Sequence, residues 1–414
     1  MRLVVLCPHF APDTAPTGRV MTRIVEELAA RGHRVDVVTA LPWYRHHRVE
    51  PGWHTTVARR KSTAWGSITR VNPFPGDDKG NLARRAIGFA GFSALALGGG
   101  LAAAGWLRRA DAVIAMSPPL TMGVTGRLVA WAHRCPLVFN IQDVFPDAAV
   151  ATGAVTNPAL IAAASWLERI SYRIADAVTV LSDDLADNVA GKLPTGQRSK
   201  VRMIPNFVDT AEIRPGRRMT RYRQELGIGA EPVVLYAGNI GFSQSLELIV
   251  AAARQLPDVT FLVNGDGSTR RELEAAAAGV RNVRFGDFQP ADRLSELLAT
   301  GDLHVVPLRR GLAGVSVPSK TYSILAAGRP VLAAIDPGTA IPRLLAESGA
   351  GVSVPPDDPQ RFTAAVAELV TDRQRLTEMG SAGRRWVESA ASPSAVATTY
   401  EALIHELQGG RRPQ

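Results

Sequence analysis

The segment GVSVPSKTYSILAAGRPVLAAI gathers the residues with the clearest chemical use: Ser316, Ser319 and Lys320, in a polar loop just before a short helix of small residues. Gly328 and Pro330 end that helix, since proline cannot continue it. Two hydroxyls, the free amides of a helix start and one ammonium suit a diphosphate leaving group, because departing phosphates gather charge that a cation stabilises better than neutral donors. The alternative is a solvated surface lysine. A second candidate is LYAGNIGFSQSLE, which joins a strand to a helix through Gly238, Asn239, Gly241, Ser243 and Gln244. It reads either as a diphosphate seat or as simple turn chemistry. In FLVNGDGSTRRELE, Gly265, Asp266 and Gly267 end a strand and open a helix, as a nucleotide contact or a tight turn would.

The early loop CPHFAPDTAPTGRV leads from a strand into a helix without the G-x-G-x-x-G spacing of dinucleotide enzymes. Gly18 opens that helix, where unpaired amides can meet a phosphate or a developing oxyanion, or where a helix merely starts. Asp143, in NIQDVFPD, follows a buried strand end and can orient or deprotonate an acceptor hydroxyl, or cap the next turn. Cys7 and Cys135 sit in apolar strand-like contexts without metal-ligand spacing, which predicts buried thiols in a reducing compartment and no zinc site. No metal and no cofactor is expected.

These residues need a frame. RLVVLCP, the helical pattern VMTRIVEELAARG and RVDVVTA form a βαβ unit, and ADAVIAMS, PLVFNIQD, ADAVTVLS and KVRMIPNFVD continue as strands. The rhythm restarts near Glu231 with EPVVLYAG, then VTFLVNG, VRFGDF, LHVVPL, RPVLAAI and GVSVP. At 414 residues the chain exceeds one ordinary hydrophobic core. The expected fold class is therefore α/β, with two Rossmann-like parallel-sheet domains facing a cleft: residues 1–209, residues 210–392, and a C-terminal helix in 393–414 returning toward the first. The linker is placed around Asn206 to Pro215.

The net charge of +9 implies an anionic partner, and its spread as arginine pairs without interleaved aromatics argues against nucleic acid. The N-terminus MRLVVLCPHF is too short and too weakly basic for a signal peptide, which points to the cytoplasm. The apolar stretch Ala86 to Leu107 lies between Arg84–Arg85 and Arg108–Arg109. Strands of one sheet fall on both sides of it, so a membrane span is rejected; it reads as a helix dipped into the inner face of the cell membrane, or as an entirely buried one.

Taken in order, the P-H-F-A-P…G loop, RGHRVDVVT, MSPPL, QDVFPDA, IPNFVD, YAGNIG, NGDG and SVPSKTYSILAAGRPVLA resemble the family 4 glycosyltransferases of GT-B fold. Within them they resemble bacterial aminosugar or fucosyl transferases of capsule, O-antigen and colanic-acid assembly. The resemblance covers almost the whole chain. It implies that the first domain holds the acceptor and the second the nucleotide-diphosphate sugar, with Gly238–Gln244 and Gly314–Tyr322 around the diphosphate and Phe288 near the base. It also implies retention of anomeric configuration, with the donor phosphate as base and no divalent metal.

Three departures stand out. The family's E-x7-E carboxylates fall on Val315 and Ser323, its diphosphate-binding Arg and Lys on Asn239 and Gln244, and its acceptor-side His on Gln142. Lys320 is then the cation left for the diphosphate. The expected reaction is transfer of a hexose or N-acetylhexosamine from a UDP-sugar to a membrane-held, polyprenyl-diphosphate-linked saccharide. A soluble natural-product acceptor, a GT-B nucleotide-sugar epimerase and a weakly catalytic sugar-nucleotide-binding protein are the alternatives.

Overall fold

A computed structural model describes residues 1–45, 48–53, 57–74, 82–103, 109–151, 153, 155–315 and 317–410. The chain divides into two compact units, residues 1–205 with 393–414, and residues 206–392.

In the first unit the strands are β1 (Arg2–Leu6), β2 (Arg34–Ala40), β3 (Ala58–Thr63), β4 (Gly66–Val71), β5 (Ala112–Ser117), β6 (Leu137–Ile141), β7 (Ala177–Val180) and β8 (Val201–Met203). They form one sheet ordered β3-β4-β2-β1-β5-β6-β7-β8, parallel except that β3 runs antiparallel to β4. The helices between them are α1 (Pro16–Ala30), α2 (Leu82–Ala103), α3 (Thr121–His133), α4 (Asp147–Ala151), α5 (Pro158–Ile174) and α6 (Asp183–Gly191). Leu3 to Leu6 are wholly buried, as expected of a parallel strand covered on both faces. Met21, Ile24, Val25 and Leu28 recur at helical spacing and bury one face of α1. Asn157 caps α5 by accepting from the Ala159 and Leu160 amides at 3.0 and 3.3 Å, and Pro158 stands at the first helical position.

The β3–β4 hairpin was not legible. Its outer strand reads ARRKST, exposed nearly throughout, so it lacks apolar alternation; it is an edge strand whose basic side chains discourage further pairing. The long apolar stretch is helical over Leu82–Ala103, four residues earlier than Ala86 at its start, while residues 104–108 and the Arg84 and Arg85 side chains lie outside the described residues. Gly99 and Gly100 let α2 sit close to the sheet and to α3: a Cβ there would stand 2.8 Å from Val38 and 2.6 Å from Val129. Among the described residues, no helix is long and apolar enough to cross a membrane.

The second unit begins before Glu231, with α7 (Arg221–Glu225). Its strands are β9 (Val233–Ala237), β10 (Thr260–Asn264), β11 (Val283–Gly286), β12 (Leu303–Pro307), β13 (Val331–Ala334) and β14 (Gly351–Val354). All are parallel, in the order β11-β10-β9-β12-β13-β14. The helices between and after them are α8 (Glu247–Gln255), α9 (Arg270–Ala276), α10 (Leu294–Thr300), α11 (Lys320–Ala326), α12 (Ala340–Ser348), α13 (Pro359–Thr371) and α14 (Arg373–Ala390). Val234, Tyr236, Ile249, Phe261, Val263, Val305 and Phe362 share one core. The chain then re-enters the first unit as α15 (Pro393–Gly409). There the buried Tyr400 hydroxyl accepts from Asn140 Nδ2 at 2.8 Å, and Glu401 meets Arg31 at 3.2 Å and His33 at 3.0 Å.

Candidate active site

In the second sheet, β10 lies on one side of β9 and β12 on the other, so the strand order reverses there. Ligands of open α/β sheets collect at the carboxyl ends of such strands. Gly238, Asn239 and Gln244 follow β9, Gly265, Asp266 and Gly267 follow β10, and Lys320 starts α11 after β12.

The two glycine-bearing loops are built against each other. The Gly238 amide donates to Asn264 O and the Ile240 amide to Asp266 O, both at 2.9 Å, while the Thr269 amide reaches Ile240 O at 3.1 Å. Gly265 has φ +145°, and a Cβ on it would stand 1.9 Å from Gly238 O; one on Gly267 would stand 2.1 Å from Ile240 O. These glycines therefore permit close backbone approach. Asp266 accepts from the Gly267 amide at 2.8 Å, closing the turn. Gln244 accepts from the Gly241 amide at 3.1 Å and donates to Ser243 Oγ at 2.8 Å, which occupies its amide within the loop. Asn239 is exposed.

Lys320 is the first residue of α11, which corrects its reading as a loop residue. Ser319 precedes it and is exposed, while Ser316 lies outside the described residues. The half-buried lysine reaches back beneath β9: Nζ donates to the Tyr236 hydroxyl at 2.7 Å and stands 4.1 Å from the Tyr236 ring centroid. Gly238 has φ +146°, a conformation that favours glycine, and a Cβ there would press within 3.0 Å of Nζ. No carboxylate pairs with Lys320 among the described residues. Burial pushes its pKa down to about 7 and pushes the Tyr236 phenol upward. An ammonium held by a ring and a neutral hydroxyl is poorly compensated, and an anion above Gly238 would complete it.

Other expected donor residues are dispersed. Phe288, in the loop after β11, is 60% exposed and presents a free aromatic face. Tyr322 is buried, with its ring 6.2 Å from that of Trp386, so it braces α11 against α14. Arg309, not singled out from sequence, ties the strand ends together: it donates to Phe242 O and to Glu247, each at 2.8 Å. The Arg-Arg pair directly after LHVVPL was the available signal.

In the first unit the order reverses between β1 and β5. Gly18 sits in the first turn of α1, where a Cβ would stand 2.8 Å from that of His9; this lets the loop fold back on the helix start. His9 meets Asp13 at 2.7 Å and stacks on Trp43 with centroids 5.5 Å apart, a cluster that sequence reading missed because Trp43 lies beyond β2. Asp143 is exposed just past β6, and the adjacent Gln142 is buried, donating to Asn140 at 2.7 Å.

Two Rossmann-like parallel-sheet domains in one chain are the architecture of the GT-B class of glycosyltransferases. Comparison with known proteins agrees. The Glycosyl transferase 4-like domain matches residues 17–206 and the Glycosyl transferases group 1 domain matches residues 231–372. The putative colanic acid biosynthesis glycosyl transferase WcaI of Escherichia coli K12 is 27% identical over 423 residues, covering 99% of this chain and all of that protein. Among solved structures, sucrose-phosphate synthase from Thermosynechococcus elongatus superposes with a TM-score of 0.76 at 18% identity, over 99% of this chain and 100% of that one. Anabaena HepE in complex with UDP and glucose superposes with a TM-score of 0.68 at 15% identity, over 98% and 100%. The chain belongs to the family 4 glycosyltransferases of GT-B fold. It is a glycosyltransferase.

Proposed function

We propose that this enzyme transfers a hexose or N-acetylhexosamine, with retention, from a UDP-sugar to a polyprenyl-diphosphate-linked saccharide in cell-envelope polysaccharide synthesis. The second unit takes the donor and the first the acceptor. The observation that carries the donor reading is the uncompensated Lys320 ammonium beneath Gly238 at the switch point. Lys320 and the amides that open α11 receive the departing diphosphate, Gly238 to Gln244 wall it, and Phe288 stacks on the base. The acceptor hydroxyl attacks the anomeric carbon as the bond to the diphosphate oxygen breaks, and its proton passes to the departing phosphate; Asp143 orients that hydroxyl. The UDP in HepE and the colanic-acid name of WcaI support the choice of donor and pathway.

The membrane side of the proposal rests on α2, α3 and α5, which pack in series. Leu101 on α2, Leu128 and Trp131 on α3, and Trp166 on α5 are exposed, the tryptophans by 76% and 62%. Such rings suit a lipid interface, with Arg109 and Arg134 for acidic headgroups. A panel of UDP- and GDP-sugars tested by thermal shift, then by transfer to a polyprenyl-diphosphate saccharide, is expected to single out a UDP-sugar. Preference for a GDP-sugar, or an epimer formed without acceptor, overturns the donor or the transfer reading. Co-sedimentation with acidic vesicles tests the membrane reading, and a protein left wholly in the supernatant at low salt refutes it.

A further inference from the structure

The second unit holds a cavity of about 460 Å3 away from the candidate active site. Asp302 and Pro330, which immediately precede β12 and β13, line it, so it opens at the amino ends of strands whose carboxyl ends face Lys320. One wall is a single face of α14, on which Arg373, Thr377, Ser381, Arg384 and Arg385 recur at helical spacing. The other is the turn Gly328–Arg329 with Arg218. The walls are pressed together: a Cβ on Gly380 would stand 2.1 Å from Gly328 O.

Five arginines, 218, 329, 373, 384 and 385, therefore line one cavity together with one aspartate. That aspartate is already committed. Asp302 accepts from Arg218, from Arg223 at 3.4 Å and from the Val233 amide at 2.8 Å. Arg384 is paired with Glu388 at 2.6 Å. The remaining three have no carboxylate partner among the described residues. Arg373 donates only to Ala230 O, at 3.2 Å. Arg329 donates to Gly216 O and Ala299 O, both at 2.8 Å, while its Nε is buried without a partner. Arg385 is exposed at the rim and has no partner among the described residues. Burial holds the Arg329 pKa down, and neighbouring Arg218 and Arg223 add to this against the opposing pull of Asp302. Structural arginines are ordinarily matched by carboxylates or fully spent on carbonyls. Here the excess converges on a space of ligand size, roughly 300–1,000 Å3 being usual for small-molecule sites.

We propose that this cavity is a second anion site, which binds a small phosphate- or diphosphate-bearing molecule through Arg329, Arg373 and Arg385, separately from the sugar donor. Guanidinium forks match phosphate oxygens bidentately, and the hydroxyls of Thr377 and Ser381 add neutral donors.

The test is calorimetric titration of the full-length protein with inorganic pyrophosphate at constant ionic strength, with the Lys320→Met substitution removing the cation of the donor seat. One equivalent is expected to bind, with UDP present or absent. In Arg373→Gln/Arg385→Gln on the same background, affinity is expected to fall about tenfold or more, the loss of two charge-assisted contacts. Ser381→Glu, which adds a carboxylate to the wall, is expected to abolish binding and serves if the double variant fails to fold. Absence of binding to the Lys320→Met protein, or unchanged affinity in a folded variant, overturns the proposal.

Discussion

Replacing Lys320 with methionine is expected to stabilise the protein while damaging its chemistry. The side chain keeps an unbranched apolar stem as far as the Cε position but loses the ammonium that stands 4.1 Å from the Tyr236 ring centroid. The pKa falls from 10.5 to about 7. At about 1.4 kcal/mol per unit, keeping the amine charged without an anionic partner costs on the order of 5 kcal/mol, which partial solvent access trims to about 2–4. Between pH 7 and 10.5 the unfolded lysine holds a proton that the folded one has released, so wild-type stability rises with pH across that window. The methionine variant has no such dependence. Its advantage in denaturant unfolding should therefore be largest at or below pH 7 and should close toward pH 10. Transfer should meanwhile fall about 100-fold or more, since a donor to the leaving group is lost. Saturating UDP should narrow the stability gap, because the diphosphate restores charge to Lys320 in the wild type alone. A variant less stable than wild type, or a gap that does not change with pH, would refute the picture of an uncompensated cation.

Gly267→Ala forces a Cβ to 2.1 Å from Ile240 O and should cost about 2 kcal/mol or more, read as a lowered Tm with weakened donor binding. Phe288→Ala, at a position 60% exposed, should leave Tm unchanged and raise the donor KM by about tenfold, the worth of one base stack. Asp143→Asn should lower kcat with little change in donor KM, and an unchanged kcat would remove this residue from the mechanism. Tyr400→Phe removes one of the two acceptors of the buried Asn140 amide, Thr179 Oγ1 at 3.0 Å being the other, and should destabilise the first unit by about 1 kcal/mol in chemical denaturation.

Much of this was legible before any coordinates. Twelve strands announce themselves because parallel strands covered on both faces must be apolar runs, as in RLVVL and LHVVP. The β3–β4 hairpin did not, since an exposed edge strand such as ARRKST carries no such pattern. Lys320 was visible by type and position, but the ring beneath it was not: Tyr236 reads as one more core residue of VVLYA, and topology alone brings positions 84 apart together. The glycines of NGDG were ambiguous for a similar reason. A turn glycine and a close-approach glycine look alike until the opposing carbonyl, here from Ile240, is in place. The arginine cavity was invisible because its arginines come from three separated stretches, around 218, 329 and 373–385, each ordinary by itself.

The return of α15 to the first unit bears on the order in which this protein can fold during synthesis. Residues 1–205 emerge first, yet their buried Asn140 amide finds its Tyr400 partner only after the whole of 206–392 has been made. The second unit is thus a contiguous stretch able to close as soon as it leaves the ribosome, whereas the first must wait without Val396, Tyr400, Leu403 and Ile404, which α15 buries against it. Chaperone dependence should therefore track the earlier half of the chain, and a stop codon near position 392 should release a sound second unit attached to an unfinished first.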